Sequence, residues 1–262
     1  MQYSRLPLRF LLVSLCFLLA MPAEAAITSA QEAVNVAGRQ RMLSQRIIKA
    51  WLFKGQNVAV ERAQRQLDEA VALFEEQLSE LEDYIERNGL NTHIAETRKL
   101  WNGYRVAALR PPRRDKATDL IELSQKVLVS ANQVVSDLEL SPKGDRELLQ
   151  IINLSGRQRM LSQRIATYYA ALAWKAGDET LNRQRLADAV KLYDSSLKQL
   201  LTSKYNTESI ARTLQKVSDH WKFSRAGFEL MDKQEFVPFV ILSTTESMLK
   251  RMEKVTGEYA AL

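Results

Sequence analysis

The sequence predicts an all-α protein built from two tandem four-helix-bundle modules that are related by pseudo-two-fold symmetry. The composition is the first reason, because good helix formers dominate and only 9 Gly and 6 Pro occur in 262 residues. The second reason is a 13-residue segment that recurs 118 positions later, at 153–165. The third is the spacing of apolar residues by three and four, which is typical of amphipathic helices.

The repeat is close to exact over one helical segment. Residues 35–47 read NVAGRQRMLSQRI, and residues 153–165 read NLSGRQRMLSQRI. Weaker echoes follow in the same order, including Trp101 with Trp221 and Leu123 with Leu242. A repeat of this length indicates a duplicated structural unit. We therefore place the first module at 27–140 and the second at 145–262, separated by the turn-rich stretch 141–145.

Local signals mark where the helices begin and end. Gly89 is a helix stop in a left-handed cap, and Pro111 ends the third segment because it lacks an amide donor. Asp115 is a candidate N-cap, and Gly177-Asp178 combines a stop with a start. The predicted segments are 28–54, 58–88, 91–108 and 115–140, and then 145–176, 178–204, 207–232 and 235–259.

The N-terminus has the pattern of a secretory signal peptide, at 1–26. Arg5 and Arg9 precede an apolar run at 10–21, and small residues at 23 and 25 form a cleavage signature. The expected location is the periplasm, with an inner-membrane anchor as the alternative if the segment is not cleaved. Cys16, the only cysteine, lies inside this segment, so the mature chain has no disulfide or thiolate metal site.

Charge and motif content narrow the function. The formal net charge is +6, a mild basic excess that argues against nucleic acid in an exported protein and favours small anions. His93 and His220 do not hold equivalent repeat positions, so a metal site is not indicated. We find no nucleophile cluster and no cofactor motif, which predicts a protein that is not an enzyme and has no cofactor. The basic loop at 110–114 is by default solvated, with a membrane or partner contact as the minor interpretation.

The repeated helix carries three arginines within eight residues, beside a glycine in the helix interior. An arginine fork suits planar or tetrahedral oxyanions, and the glycine lets a backbone or ligand come close. We expect Arg41 and Arg159 to face each other and bind one small oxyanion. The alternative is that the arginines form a solvated face or pair with carboxylates of neighbouring helices. The candidate ligand-binding residues are Arg41, Arg159, Gly38, Gly156, Gln45, Gln163, Arg39 and Arg157.

The motif resembles the start of the sensory domain shared by the NarX nitrate sensor kinases and the PilJ-type pilus chemotaxis transducers. Residues 37–42 fit its Ala-Gly-x-x-Arg-Met pattern, and 155–160 fit it except at Ser155. The resemblance implies a helical bundle outside the inner membrane. It also implies that Arg41 and Arg159 correspond to the arginine that binds nitrate at the two-fold dimer interface of the nitrate sensors. Between Gly38 and Arg41 stand Arg39 and Gln40, which resemble the pilus transducers rather than the nitrate kinases at these two positions. The identity of the ligand therefore stays open, with nitrate or nitrite as the leading candidate.

Two functional classes follow from these observations. In the first, the protein is a sensor that binds an anion and passes the signal to a membrane sensor or transducer protein, because no signalling segment follows in the sequence. In the second, it is a helical interaction module of a pilus or chemotaxis-type complex that binds no small ligand. A homo-oligomer is compatible with both classes.

Overall fold

The computed structural model describes residues 26–140, 144–232 and 235–262, and these ranges contain helices and no strand. The prediction of an all-α fold with two tandem modules of four helices is confirmed. The signal peptide prediction lies outside the described residues, apart from Ala26. The helices are α1 (Ala30–Gly55), α2 (Val60–Arg87), α3 (Ile94–Ala108), α4 (Ala117–Glu139), α5 (Arg146–Ala173), α6 (Glu179–Leu201), α7 (Glu208–Asp232) and α8 (Pro238–Ala260).

Side-chain caps and left-handed residues set the helix ends. Ser29 accepts a hydrogen bond from the amide of Glu32 at the start of α1, and Asp178 accepts one from Leu181 at the start of α6. Gly89 and Gly177 have φ values of +60° and +76°. Gly89 directly follows the cap residue of α2, and the amide of Leu90 donates back to the carbonyl of Ile85, so the stop predicted there is confirmed. The predicted stop at Gly177 is wrong. Lys175, with φ +53°, is the left-handed residue that ends α5, because the amides of Lys175 and Ala176 already donate to the last carbonyls of the helix.

The predicted N-cap at Asp115 is wrong. Asp115 lies within a short 3-10 turn, Arg114–Lys116, and α4 begins after it at Ala117. Both carboxylate oxygens of Asp115 accept hydrogen bonds from the guanidinium of Arg113, at 3.1 and 2.9 Å. The arginine fork therefore engages the carboxylate that would otherwise cap the helix.

The two motif helices, α1 and α5, lie at the centre of the molecule and pack along each other. Helices α2 and α4 flank α1, whereas α6 and α8 flank α5. The outer helices α3 and α7 pack against α4 and α8. Because α1 and α5 are covered on nearly all sides, even their polar residues are buried, and one apolar core runs through both modules.

The repeat-related tryptophans make matching contacts in the two modules. Trp101 stacks on Phe74 with ring centroids 3.9 Å apart and donates its Nε1 hydrogen to Glu75. Trp221 lies 4.3 Å from Tyr193 and donates to Asp194. Both indoles are buried in the core, so the two residues that correspond in the repeat also take corresponding places in the structure.

Among the described residues, no helix combines the length and hydropathy that are needed to span a bilayer.

Candidate functional site

Arg41 and Arg159 meet where α1 crosses α5, beside the two motif glycines. A Cβ atom added at Gly38 would lie 3.3 Å from the Nη2 atoms of both arginines. One added at Gly156 would lie 3.1 Å from that of Arg159 and 3.5 Å from that of Arg41. The glycines therefore leave room for the two guanidinium groups to share one space, which offsets the cost of about 1 kcal/mol of glycine within a helix.

Arg41 is fully buried but pairs directly with no carboxylate of the residues that the structure describes. Its Nη1 donates to Asn132 Oδ1 at 2.9 Å, and its Nη2 donates to Asn153 Oδ1 at 2.7 Å. These acceptors are neutral amide oxygens. A buried charge normally requires an opposite charge as well as hydrogen bonds. The direct partners of Arg41 are thus dipoles, and the nearest compensating carboxylate, Glu139, acts from behind Asn153, which donates to it at 2.8 Å.

Arg159, in contrast, has a carboxylate partner. Its Nη1 donates to Glu253 Oε2 at 2.8 Å, and its Nη2 donates to the carbonyl of Asn35 at 3.0 Å. The same carboxylate oxygen lies 3.3 Å from Arg39. The interpretation that these arginines pair with neighbouring carboxylates therefore describes Arg159 and Arg39 but not Arg41.

The two copies thus differ at one position of their fourth helices. Asn132 in α4 and Glu253 in α8 occupy the same role, because each accepts a hydrogen bond from Nη1 of the arginine of its own copy. Ser124 and Thr245, which accept from Gln45 and Gln163, show the same offset of 121 residues. The predicted correspondence of Leu123 with Leu242 is therefore wrong by two positions. An amide in the first copy stands where a carboxylate stands in the second. The region where α1 and α5 cross, called the junction below, is built alike in both copies. Among the described residues, the arginine of the second copy has a carboxylate as a direct partner and the arginine of the first copy does not.

The pKa values of Arg41 and Arg159 reflect this difference between an amide and a carboxylate partner. Burial, followed by repulsion from Arg157 and Arg159, lowers the pKa of Arg41 to about 9, against partial compensation from Glu139. Burial also lowers the pKa of Arg159, while Glu253 opposes that effect. Positive charge at the junction is therefore least compensated around Arg41, and a bound anion would stabilise it.

Each of the two arginines also retains one unused donor. Within the described part of the chain, the Nε groups of Arg41 and Arg159 are buried and have no hydrogen-bond partner. Buried donors without an acceptor are uncommon in folded proteins because the lost hydration is not replaced. The repeat thus places two unsatisfied donors in the same region as the uncompensated charge.

The remaining predicted residues are divided between the junction and its surroundings. Arg157 lines an open groove of about 550 Å³ together with Asn153 and Glu139. Gln45 and Gln163 are buried, and their amides donate to the carbonyl oxygens of Ser124 (3.5 Å) and Thr245 (3.3 Å). These glutamines hold α4 and α8 against the motif helices, and their role as ligand donors stays a prediction.

Sequence reasoning missed the acceptors of the two arginines. Asn153 opens the repeated segment, so the repeat carried a signal for it. Asn132 and Glu253 lie in helices whose sequences have diverged, and no local pattern shows which of their residues reach the junction.

A second buried polar cluster, also not predicted, lies further along α1. Lys49 Nζ donates to Gln163 Oε1 at 2.6 Å and lies 2.9 Å from Glu246, which also pairs with Arg46 at 2.6 Å. Burial lowers the pKa of Lys49 to about 8. Burial raises the pKa of Glu246, but the charges of Lys49 and Arg46 outweigh that effect and hold it at about 2.

The histidines do not take part in either cluster. His93 lies on the surface with its Nδ1 2.8 Å from Asp137, and His220 lies beside Arg251. In the described ranges, no group of three potential metal-ligating side chains occurs.

A family model matches both modules. Residues 25–134 and 146–235 match PilJ, the N-terminal domain of type IV pili methyl-accepting chemotaxis transducers. The chain belongs to the PilJ family. The predicted tandem arrangement of PilJ-type domains is confirmed, and the family indicates a sensory module. No curated protein and no solved structure matches the chain.

Proposed function

We propose that this PilJ-type protein is a periplasmic sensor that binds one small oxyanion where its two motif helices cross. Nitrate or nitrite is the leading ligand because of the resemblance to the nitrate sensor kinases. The bound state is read by a membrane sensor or transducer protein. The protein carries out no reaction, in keeping with a family of sensory domains.

The observation that carries the proposal is the unbalanced charge of Arg41. Its guanidinium is fully buried, lies beside that of Arg159 and, within the described ranges, donates only to neutral acceptors. An anion at this point offsets the repulsion between the arginines. It also accepts hydrogen bonds from their Nε groups, which otherwise have no acceptor among the described residues. The resulting gain in binding free energy is available only to an anion, which excludes neutral ligands of the same size.

A route to the arginines is also available. Asn132 is exposed to solvent although its Oδ1 contacts the buried Arg41. In the proposed complex, the anion enters from the side of Asn132 and takes the place of this amide oxygen at Nη1 of Arg41. On the other side of the junction, the carboxylate of Glu253 holds the equivalent place.

The first prediction is that Arg41→Met and Arg159→Met each weaken anion binding about ten-fold or more. A charge-assisted hydrogen bond contributes about 1.5–3 kcal/mol, and 1.4 kcal/mol is a factor of ten. Binding is measured by calorimetric titration with nitrate and nitrite at constant ionic strength, with chloride as the reference salt. Arg164→Met is the matched control, because it removes the same charge from α5 at a residue outside the junction.

The shared site is wrong if the wild type, both arginine variants and the control bind with equal affinity. If no oxyanion raises the melting temperature beyond the effect of chloride, the protein is instead an interaction module without a small ligand, since a ligand of the folded state must stabilise it.

The second prediction uses the difference between Asn132 and Glu253. Asn132→Asp provides Arg41 with a carboxylate, so it should stabilise the ligand-free protein and weaken anion binding about ten-fold. Glu253→Gln should do the opposite, because it removes the carboxylate that competes with the anion for Arg159. Melting temperature and titration are recorded together on each variant. Changes in the same direction for both variants would contradict a competition between carboxylate and ligand.

A further inference from the structure

A separate cavity of about 420 Å³ lies between the C-terminal half of α1 and the loop that joins α3 to α4. Its volume falls in the range of small-molecule sites, roughly 300–1,000 Å³. Most of its lining is apolar, and the indole of Trp51 is held in place by a hydrogen bond from Nε1 to the carbonyl of Arg110, at 3.1 Å. The apolar lining consists of Trp51, Ala107, Pro111, Leu120 and Leu123.

The rim of the cavity is positively charged. Three cations line it, Arg110, Arg113 and Lys116, against one carboxylate, Asp119. Arg113 is engaged by Asp115 at 2.9 Å, and Lys116 lies 3.8 Å from Asp119. The side chain of Arg110 forms no ion pair with any described residue, so it is the cation free to bind a ligand. Arg110 belongs to the basic loop at 110–114 that the sequence analysis identified. No residue of this loop belongs to the proposed oxyanion site.

The second module shows what fills the corresponding space. Tyr169 stands at the repeat position of Trp51 and is covered by the ring of Phe236, with centroids 5.6 Å apart. The hydroxyl of Tyr169 accepts a hydrogen bond from the amide of Val237 at 2.7 Å. Gly227, the counterpart of Ala107, is closely approached by Ile241 and Val237. The second copy therefore closes this place with an aromatic ring of its own, and the first copy leaves it open.

We propose that the cavity of the first module binds a small aromatic carboxylate. The ring lies against Trp51 in the place that Phe236 takes in the second module, and the carboxylate pairs with Arg110 at the rim. Aromatic rings in contact add about 0.5–1.5 kcal/mol beyond the burial of their surface. Trp51 is ten residues, or about 15 Å, from Arg41 along α1. The two sites are therefore separate, and variants of one are not expected to change binding at the other.

The test titrates the protein with 1-naphthoate and, as a neutral ligand of similar shape, with 1-naphthalenemethanol. Binding is followed by calorimetry and by quenching of tryptophan fluorescence. We expect the carboxylate to bind about ten-fold more tightly than the alcohol, as one charge-assisted bond implies. Arg110→Ala should abolish that preference. Arg114→Ala is the matched control, since Arg114 belongs to the same exposed loop but does not line the cavity.

A second variant tests the location. Ala107→Phe places a ring in the cavity, as Phe236 does in the second module, and should abolish binding of both probes while the helical circular dichroism is unchanged. The proposal is overturned if the alcohol binds as tightly as the carboxylate, or if Arg110→Ala and Arg114→Ala behave alike. If Ala107→Phe fails to fold, the comparison of the two exposed arginines decides the matter.

Discussion

Glu246→Gln is expected to lower the free energy of unfolding by about 3–5 kcal/mol at pH 7, the usual loss when one partner of a buried ion pair is removed. Glu246 forms ion pairs with Arg46 and with Lys49, and Lys49 is fully buried. The loss of Glu246 leaves two cations close together with too little compensating charge. Urea denaturation followed by circular dichroism measures the change.

A double variant provides the control. The positions equivalent to Lys49 and Glu246 are the neutral residues Thr167, in the second module, and Gln125, in the first, and both contact Gln45 through hydrogen bonds without charge. Lys49→Thr combined with Glu246→Gln copies that arrangement. We expect it to be more stable than Glu246→Gln alone, because no buried lysine is then left without a carboxylate. A loss equal to the sum of the two single losses would refute this account.

The same residue predicts an acid dependence. Because the folded protein lowers the pKa of Glu246 from 4.5 to about 2, its contribution is fully present above pH 4.5 and is lost as the pH falls toward 2. The difference in stability between the wild type and Glu246→Gln should therefore shrink between pH 5.5 and pH 3. A difference that stays constant over this interval would show that Glu246 is not the titrating group.

Gly55→Ala is expected to destabilise the protein by about 1–3 kcal/mol, the usual cost of overpacking, because the half-buried Gly55 is closely surrounded. A Cβ at Gly55, the last residue of α1, would lie 2.8 Å from Trp174 Cζ3 and 2.9 Å from Pro112 Cβ. The proline ring is rigid, and Trp174 is packed edge-on against Trp51 with centroids 6.0 Å apart. Thermal unfolding measures the effect.

Gly103→Ala is the matched control for this substitution. Gly103 lies in the interior of α3, is exposed, and has no atom within 4 Å of an added Cβ. Helix propensity alone then applies, and alanine should stabilise the protein by up to about 1 kcal/mol. Opposite signs for the two substitutions are the expected result. Equal effects would mean that the space around Gly55 is not the cause.

Much of the architecture can be read from the order of the residues. The helices follow from apolar periodicity, and many of their ends follow from local signals such as Gly89 and Asp178, because capping depends on residues close in sequence. The repeat predicted that Arg41 and Arg159 would meet, since equivalent residues of a duplicated unit occupy equivalent places. These features depend on local rules or on comparison within one chain, and both are visible in the sequence.

The charge balance of the site was decided by tertiary packing. Glu253 is 94 residues from Arg159, and Glu246 is 197 residues from Lys49. Helix periodicity shows which face of α4 or α8 is buried, but not how far each helix is shifted along its neighbour. That shift depends on packing over the whole interface. It puts an amide beside one buried arginine and a carboxylate beside the other, so that two nearly identical segments have different electrostatic environments.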